Sequence, residues 1–262
     1  MKRIYLLISR NRKSLLFNYL NRIVRFLYFA LENKNNDHHT NGEFWLMKKL
    51  SESGLQIIFD VGANIGIWSI EAHKIFLNSS IYSFEPMPEV FARLQENVAG
   101  RGDIHIFNFA LAKEKGTLSF NYYPNEILFS SIYSHHKGSE SKTIQVNTID
   151  GDSFCKENKI QVIDFLKLDV EGSEHLVLEG FKQMLTSQKI KVIQFEYGVL
   201  SIQSKFLLQD FYNLFYQYGY TLGKIYPNHI DFTKYDWTLE NFIGPNYIAV
   251  RNSEEALINS LK

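Results

Sequence analysis

Between residues 55 and 86 the spacing of the apolar residues changes from a continuous run to helical spacing and back to a continuous run. A continuous apolar run at 57–59 is followed by a glycine-containing segment at 62–66, and apolar residues then recur at helical spacing over 67–76. A second apolar run follows at 81–84. Continuous apolar runs are typical of buried strands, so this stretch is predicted to form a strand, a tight turn, a helix and a second strand.

The same alternation of strand and helix patterns continues to the end of the chain. A hairpin is predicted from 117–123 and 143–146, and the long connection between its arms, 124–141, is typical of a functional lid. Further strands are predicted at 104–109, 162–170, 192–196, 220–226 and 246–251, and helices at 43–50, 90–98, 176–185 and 206–218.

The turn after the first strand has the composition of a nucleotide-binding loop. Glycine lets the backbone approach a ligand, and an acidic residue about 20 positions on, here Glu85, can accept hydrogen bonds from both ribose hydroxyls. The loop contains Gly62 and Gly66 but lacks the third glycine of a dinucleotide fingerprint, and the Asp60 carboxylate would repel a pyrophosphate. A ligand with an ammonium group, such as S-adenosylmethionine, suits it better. The loop resembles that of class I S-adenosylmethionine-dependent methyltransferases, and an ordinary strand-to-helix turn is the less favoured alternative.

Acidic residues are concentrated where the strands 162–170 and 192–196 end. Because the carboxyl ends of parallel strands meet at one edge of a sheet, Asp169, Glu171 and Glu196 are expected to lie near the transferred methyl group. Carboxylates there could act as a general base for an alcohol or hold Mg2+. Glu174 has a second interpretation, as a carboxylate that stabilises a helix N-terminus.

Five segments, DVGANIG, FEPMPEVFARLQEN, LKLDVEGSEHLVLEG, FEYG and NYIAV, occur in an order that resembles the FkbM family of methyltransferases. The resemblance extends over residues 55–251. It implies a Rossmann-like class I methyltransferase fold, with a seven-stranded, mostly parallel sheet, an antiparallel last strand and helices on both faces. It also implies O-methylation of a hydroxyl on a sugar, a polyketide or another secondary metabolite.

The resemblance further implies roles for individual residues. The loop after the first strand would hold the methionine part of S-adenosylmethionine, Glu85 the ribose, and the end of the third strand the adenine. Asp169 is the first choice for organising the acceptor. The residues implied for the cofactor are Asp60, Gly62, Ala63, Asn64, Gly66, Glu85, Pro86, Met87, Asn108 and Ala110, and those implied for catalysis are Asp169, Glu171 and Glu196.

Composition supports one large α/β domain, since 45% of the 262 residues are hydrophobic and 15% are aromatic. Lys plus Arg equals Asp plus Glu, at 28 each, so the chain has no overall field that would attract nucleic acid.

A single cysteine, Cys155, excludes an internal disulfide and a cysteine-based zinc site, and a cytoplasmic location is expected. The adjacent histidines at 38–39 and 135–136 are interpreted as solvated loop residues.

Residues 1–31 carry seven basic side chains and no acidic one, interleaved with apolar residues. No apolar run there approaches the roughly 20 residues needed to span a bilayer, and no signal-peptide pattern is present. A basic amphipathic helix could lie on an anionic membrane surface. It could equally pack on the domain with its basic face in water. A polar linker at 33–42 ends this extension, so the chain is divided into 1–42, a domain at 43–252 and a tail at 253–262.

Other classes of function fit the sequence less well. A nicotinamide-dependent oxidoreductase would need the third glycine and a Tyr/Lys or His catalytic pair. An enzyme that methylates a base in nucleic acid would need an Asn/Asp-Pro-Pro-aromatic segment to receive the flipped base, where this chain has Asp169-Val170-Glu171-Gly172. N-methylation of a small molecule or protein, and a non-catalytic S-adenosylmethionine-binding module, stay open as alternatives.

Overall fold

The computed structural model describes residues 1–122, 142–244 and 246–262. The predicted lid at 124–141 lies outside the described residues. The strands are β1 (Ile57–Val61), β2 (Ser80–Phe84), β3 (Ile104–Phe107), β4 (Ala110–Ala112), β5 (Gly116–Tyr122), β6 (Lys142–Asp150), β7 (Ile163–Leu168), β8 (Ile190–Glu196), β9 (Tyr220–Tyr226), β10 (His229–Asp231) and β11 (Asn246–Arg251). The helices are α1 (Lys2–Arg10), α2 (Leu15–Leu31), α3 (Glu43–Ser51), α4 (Ile67–Ile75), α5 (Pro88–Asn97), α6 (Gly151–Glu157), α7 (Glu174–Gly180), α8 (Lys182–Thr186), α9 (Ser201–Ser204), α10 (Leu208–Gln217) and α11 (Glu255–Leu261).

The central sheet has eight strands in the order β10-β9-β11-β8-β7-β1-β2-β3. Strands β1, β2, β3, β7 and β8 are parallel, and β11 lies antiparallel between β8 and β9. The prediction of a mostly parallel, Rossmann-like sheet with an antiparallel last strand is therefore confirmed. The predicted count of seven strands is wrong by one, because His229–Asp231 pairs with β9 as an additional edge strand. This strand has only three residues, and only Ile230 is buried, so the sequence carries almost no periodic signal for it.

A smaller sheet, in the order β4-β6-β5, contains the predicted hairpin. Its second arm, β6, is longer than predicted because it also pairs in parallel with β4. The helix predicted over 176–185 is divided into α7 and α8. Gly180, where the first of them ends, approaches β4 so closely that an added Cβ would lie 2.0 Å from the carbonyl oxygen of Ala112. Contact with the small sheet therefore fixes the place of the break.

The core occupies both faces of the central sheet, because neighbouring residues of a buried strand point to opposite sides. In β1, Phe59 packs on one face against Phe84, Phe154 and Phe181. Ile58 belongs to the core of the opposite face. Burial on both sides explains why the predicted parallel strands are continuous apolar runs.

The N-terminal extension and the C-terminal tail differ in how they meet the domain. Helices α1 and α2 contain no buried residue. The residues directly after α2 are attached to the carboxyl end of β9, where Glu32 pairs with Lys224 at 2.7 Å and the Asn33 side chain donates to the Ile225 carbonyl at 3.0 Å. In contrast, Leu261 of α11 is fully buried in the core. No helix of the described residues is long and apolar enough to cross a membrane.

Gly62 is expected to contribute strongly to stability, since it has a φ of +84° and an added Cβ would lie 1.8 Å from the carbonyl oxygen of Asp169. Gly100 has nearly the same φ, +82°, but nothing lies within 4 Å of its added Cβ. Gly100→Ala should therefore cost about 1 kcal/mol, the penalty for the left-handed backbone alone, and Gly62→Ala at least about 2 kcal/mol more. Urea denaturation of both variants measures the difference. Equal losses would contradict the close approach of β1 and β7.

Candidate cofactor and acceptor site

A pocket opens at the carboxyl ends of β1, β2 and β7, with about 930 Å³ of space between protein atoms, the open solvent at its mouth included. One wall is the turn after β1, another is the segment that follows β2, and the small sheet closes the far side with the apolar side chains of Leu118 and Phe120. The pocket thus lies where parallel α/β sheets bind ligands.

Glu85 is a buried carboxylate in the wall of this pocket. Its two oxygens accept hydrogen bonds from the backbone amides of Asn64, at 3.0 Å, and Met87, at 2.9 Å. Burial raises the pKa of Glu85 to about 7, although both amide hydrogen bonds act in the opposite direction. Each oxygen keeps acceptor capacity beyond these bonds, which suits a ligand with neighbouring hydroxyl groups.

The structure brings some of the predicted cofactor residues to the pocket and leaves others behind it. Those that line the pocket are Gly62, Asn64, Glu85, Pro86, Met87 and Ala110, whereas Asp60, Ala63, Gly66 and Asn108 do not. Asn108 fixes the segment after β2 by donating to the carbonyls of Glu85, at 2.9 Å, and Pro86, at 3.1 Å. Gly66, with a φ of +88°, lets α4 pack against α5, because an added Cβ would lie 2.6 Å from Leu94.

The backbone amides of the turn after β1 already have hydrogen-bond partners. The N–H groups of Gly62 and Ala63 both donate to the carbonyl of Phe84, at 3.0 and 2.9 Å. In dinucleotide-binding loops the pyrophosphate is bound at the helix N-terminus by backbone of this kind. The turn of this chain is instead tied to β2, which argues against a phosphate ligand.

Asp60 lies completely buried behind the pocket wall. It accepts a hydrogen bond from Ser69 at 2.6 Å and pairs with the ammonium group of Lys167 at 3.2 Å. The same ammonium group lies 3.1 Å from the carboxylate of Asp169, which does line the pocket. Although burial alone would lower the pKa of Lys167, the two carboxylates raise it above its usual range. Lys167 is therefore a buried cation that fixes the position of Asp169.

Lys167 is a site residue that the sequence reasoning missed. It lies within an apolar run, and this run by itself indicates only a buried strand. A signal was present, because residues two apart on a strand share a face, and an isolated lysine in a buried strand is rarely without a partner. Lys167 precedes Asp169 by two positions and lies opposite Asp60 in the β1–β7 pairing.

The turn after β7 places two further carboxylates beside Asp169. Glu171 lines the pocket and has a φ of +53°, a left-handed conformation that is rare outside glycine. Burial and the negative charges of Asp169 and Glu174 raise its pKa to about 8. Glu174 does not line the pocket but accepts the amides of Val170 and Gly172 at 3.1 and 3.2 Å, which agrees with its structural interpretation.

Glu196, the third predicted catalytic residue, ends β8 and is not among the residues that line the pocket. Burial and the charges of Asp169 and Glu171 raise its pKa well above its usual range. The structure therefore brings the predicted carboxylates into one electrostatic cluster, with Asp169 and Glu171 at the pocket surface. No group of three or more His, Cys, Asp or Glu side chains within residues 1–122, 142–244 and 246–262 is arranged to hold a metal ion.

Acidic side chains line the pocket. Glu85, Asp169 and Glu171 contribute carboxyl groups to it, and none of its described lining residues is basic. The buried hydroxyl group of Ser173 also lines the pocket and has no hydrogen-bond partner among the described residues. An acidic, largely apolar pocket with an unused hydroxyl group favours a cationic ligand with polar substituents and disfavours phosphates.

The structure also revises the interpretation of the histidine pair at 38–39. His38 is a partly exposed loop residue, but it is not only solvated, because its Nδ1 atom lies 2.8 Å from the buried carboxylate of Glu43. The sequence pattern does not reveal this partner, which is the first residue of the next helix, five positions along the chain. His39 is exposed, as predicted, and the pair at 135–136 lies outside the described residues.

The strand order, the antiparallel β11 and an acidic pocket at the carboxyl ends of β1 and β2 define a class I methyltransferase fold. A family profile described as the methyltransferase FkbM domain matches residues 60–222. The chain therefore belongs to the FkbM methyltransferase family.

Several characterised proteins are similar to this chain. Hexuronic acid methyltransferase AglP of Haloferax volcanii is 30% identical over 144 residues, which cover 55% of this chain and 57% of that protein. 2-O-methyltransferase NoeI of Sinorhizobium fredii is 28% identical, with coverage of 54% and 63%. A crystal structure of methyltransferase FkbM from Methylobacillus flagellatus has a TM-score of 0.49 at 14% identity and covers 75% of this chain and 44% of that chain. The chain thus spans less than two thirds of the length of these proteins.

The raised pKa values predict how stability depends on pH. Glu85, Glu171 and Glu174 have pKa values of about 7, 8 and 7, well above the usual value for glutamate. Between pH 5 and 8 the unfolded chain therefore binds fewer protons than the folded chain, so the free energy of unfolding should fall as the pH rises.

Thermal melting of the unliganded protein at several pH values measures this pH dependence. Glu171→Gln should flatten the profile, whereas Glu157→Gln, on the exposed side of α6, should not. A melting temperature that rises from pH 5 to 8 would contradict the assignment.

Proposed function

We propose that this chain is an S-adenosylmethionine-dependent O-methyltransferase that methylates a hydroxyl group of a glycan or of another small molecule. The observation that carries the proposal is the acidic pocket, in which Glu85, Asp169 and Glu171 meet no basic lining residue. S-adenosylmethionine supplies an activated methyl group on a sulfonium, and both its sulfonium and its ammonium group are positive. A pocket of this charge suits it.

The residues of the pocket fit the parts of this cofactor. The Glu85 carboxylate, already oriented by two amides, would accept the ribose hydroxyls. The unpartnered Ser173 hydroxyl group offers a further hydrogen bond. Leu118 and Phe120 provide an apolar surface for a flat aromatic base. Asp60 would act indirectly, through Lys167, and not by direct contact.

The acceptor would bind beside Asp169. Lys167 holds this carboxylate in one position, so it can orient a hydroxyl group for an in-line displacement, in which alignment makes a major contribution to the rate. Glu171, with a pKa of about 8, and Glu196 remain candidates for proton transfer. A sugar acceptor is supported by two similar proteins, the hexuronic acid methyltransferase AglP and the 2-O-methyltransferase NoeI. The absence of any overall charge argues against nucleic acid as the acceptor.

Cofactor binding is tested first by calorimetric titration with S-adenosylmethionine. Glu85→Ala should weaken binding about 10- to 100-fold, because hydrogen bonds to a charged group are lost, whereas Glu96→Ala, on the exposed side of α5, should leave it unchanged. Transfer of tritiated methyl groups to glucuronic acid and galacturonic acid glycosides then tests the reaction. Asp169→Asn should lose turnover and retain cofactor affinity.

Each failure has its own meaning. Absence of cofactor binding by the wild-type chain would overturn the proposal. Binding without transfer to any hydroxyl, in the same glycosides or in cell extracts, would favour a non-catalytic module, and methylated nitrogen would favour the N-methyltransferase alternative. Turnover that persists in EDTA would remove the Mg2+ hypothesis.

We further propose that residues 1–31 attach the enzyme to the cytoplasmic face of an anionic membrane. The apolar side chains of α1 and α2 are exposed, with Leu15 and Phe26 exposed by 88% and 70%. Seven basic residues and no acidic one accompany them. Such a segment can bury its apolar residues in the lipid interface while its basic residues attract the headgroups.

Co-sedimentation with vesicles that contain phosphatidylglycerol tests the attachment. The full chain should bind at low salt and release at high salt, since each basic side chain contributes up to about 1 kcal/mol. Replacing Arg10, Arg12 and Lys13 by Gln should weaken binding at least tenfold, whereas Lys156→Gln with Lys189→Gln should not. A chain that begins at Glu32 should stay unbound and keep its melting temperature, because α1 and α2 bury nothing. Equal binding of all variants would overturn the proposal.

A further inference from the structure

The His38–Glu43 pair lies outside residues 60–222, the part of the chain that the family profile matches, and the proposed function has not used it. Glu43 is the first residue of α3, and only 2% of its side chain is exposed. His38 lies in the preceding loop, and 41% of its side chain is exposed. A buried carboxylate thus holds a histidine ring whose other side reaches solvent.

Glu43 is held in place from several directions. It accepts hydrogen bonds from side chains of the loop, of β8 and of β11. The donors are Asn41 Nδ2 at 2.7 Å, Gln194 Nε2 at 2.9 Å and Asn246 Nδ2 at 3.0 Å. Burial alone would raise the pKa of Glu43, but the hydrogen bond with His38 and the charge of Lys167 bring it to about 2. Glu43 is therefore a fixed negative charge at neutral pH.

His38 and Glu43 are not among the residues that line the pocket, but the strands that hold Glu43 connect the pair to the pocket wall. Gln194 lies opposite Lys167 in the β7–β8 pairing, and Asn246 lies opposite Glu196 in the β8–β11 pairing. Lys167 in turn contacts Asp169 in the pocket wall. The charges of Lys167 and Asp169 both act on His38, which is consistent with this placement.

We propose that His38 is the general base that accepts the proton of the acceptor hydroxyl group, and that Glu43 is the positioning residue that orients its ring. This deepens the proposed function and rests on it. The hydroxyl oxygen would form a bond to the methyl carbon as the carbon–sulfur bond breaks, and the electron pair of that bond would stay on sulfur. The hydroxyl proton would move to Nε2 of His38 and from there to solvent.

His38 differs from Asp169 and Glu174 in that its Nε2 atom is not the group held by Glu43, whereas both carboxylates are already engaged. A general base must release its proton after each turnover, and the partly exposed ring of His38 can pass it to water. The carboxylate of Glu174 is buried and already accepts hydrogen bonds from two backbone amides of the turn after β7, and the carboxylate of Asp169 is paired with the Lys167 ammonium group. Because Nδ1 faces Glu43, the carboxylate fixes the tautomer that leaves Nε2 unprotonated and able to accept.

The charged groups around His38 set the expected pH dependence. The hydrogen bond to Glu43, from α3, raises the pKa of His38, and burial opposes it. From β7, Asp169 raises this pKa and Lys167 lowers it, and Asp37 lies in the same loop. The pKa of His38 therefore lies above its usual range, and His38 is an effective base only above that value.

Turnover against pH tests the proton transfer, with tritiated S-adenosylmethionine and a uronic acid glycoside as substrates. Wild-type kcat should rise with pH as His38 loses its proton. His38→Gln should lower kcat about 100-fold or more and abolish this rise, and Glu43→Gln should move it to lower pH. His39→Gln, a change at the neighbouring exposed histidine, should leave kcat and its profile unchanged. A His38→Gln enzyme with the wild-type profile would overturn the proposal.

A second measurement does not depend on turnover. The pKa of the His38 ring is followed by NMR in the presence of S-adenosylmethionine and then of S-adenosylhomocysteine, which lacks the positive charge on sulfur. If His38 faces the methyl group, its pKa should be lower with S-adenosylmethionine by at least about 0.5, and that of His39 should change less. Equal values for His38 in the two complexes would overturn the placement. Calorimetry on the same samples identifies failure of cofactor binding, which would instead overturn the proposed function.

Discussion

The ion pairs of Lys167 with Asp60 and Asp169 hold together the part of the structure on which the site depends. They join β1 to β7 across the middle of the sheet, where all three charged groups are removed from most of the solvent. Removing one partner of such a buried pair leaves an uncompensated charge, at a cost of about 3 to 5 kcal/mol. The Lys167 ammonium group is also in cation–π contact with Trp68, 5.5 Å from the ring centroid, so it has neighbours on every side. We therefore expect these buried ion pairs to contribute more to the positions of their side chains than to the free energy of unfolding.

The same region is constrained by backbone contact. Gly62 brings the turn after β1 against the carbonyl of Asp169, so the turn and the end of β7 cannot separate without losing both the contact and the ion pairs. The turn is also attached to β2, because the amides of Gly62 and Ala63 donate to the carbonyl of Phe84. The pocket is consequently built mostly from side chains and from the small sheet.

Much of this structure follows from local patterns. The βαβ unit and the strand ends that carry Glu85 and Asp169 were predicted because burial on both faces produces continuous apolar runs. The antiparallel last strand was predicted from the family resemblance alone. What escaped prediction depends on contacts between distant parts of the chain. The role of Lys167 requires knowing that β1 lies beside β7, and the position of Glu43 requires knowing that α3 lies against β8 and β11. The ion pair of Asp60 with Lys167 escaped prediction for the same reason.

The attachment of the end of α2 to β9 has a mechanical consequence. A helix of 17 residues is about 25 Å long, and among the described residues its side-chain hydrogen bonds and ion pair with β9 come from Glu32 and Asn33, directly after its last residue. Such a helix acts as a lever with its pivot five residues before His38. If the helix lies flat on a bilayer, this pivot and not the domain surface sets the height and tilt of the pocket. The enzyme would then select acceptors by how far their hydroxyl groups stand above the lipid, which is a form of specificity that no residue of the pocket encodes.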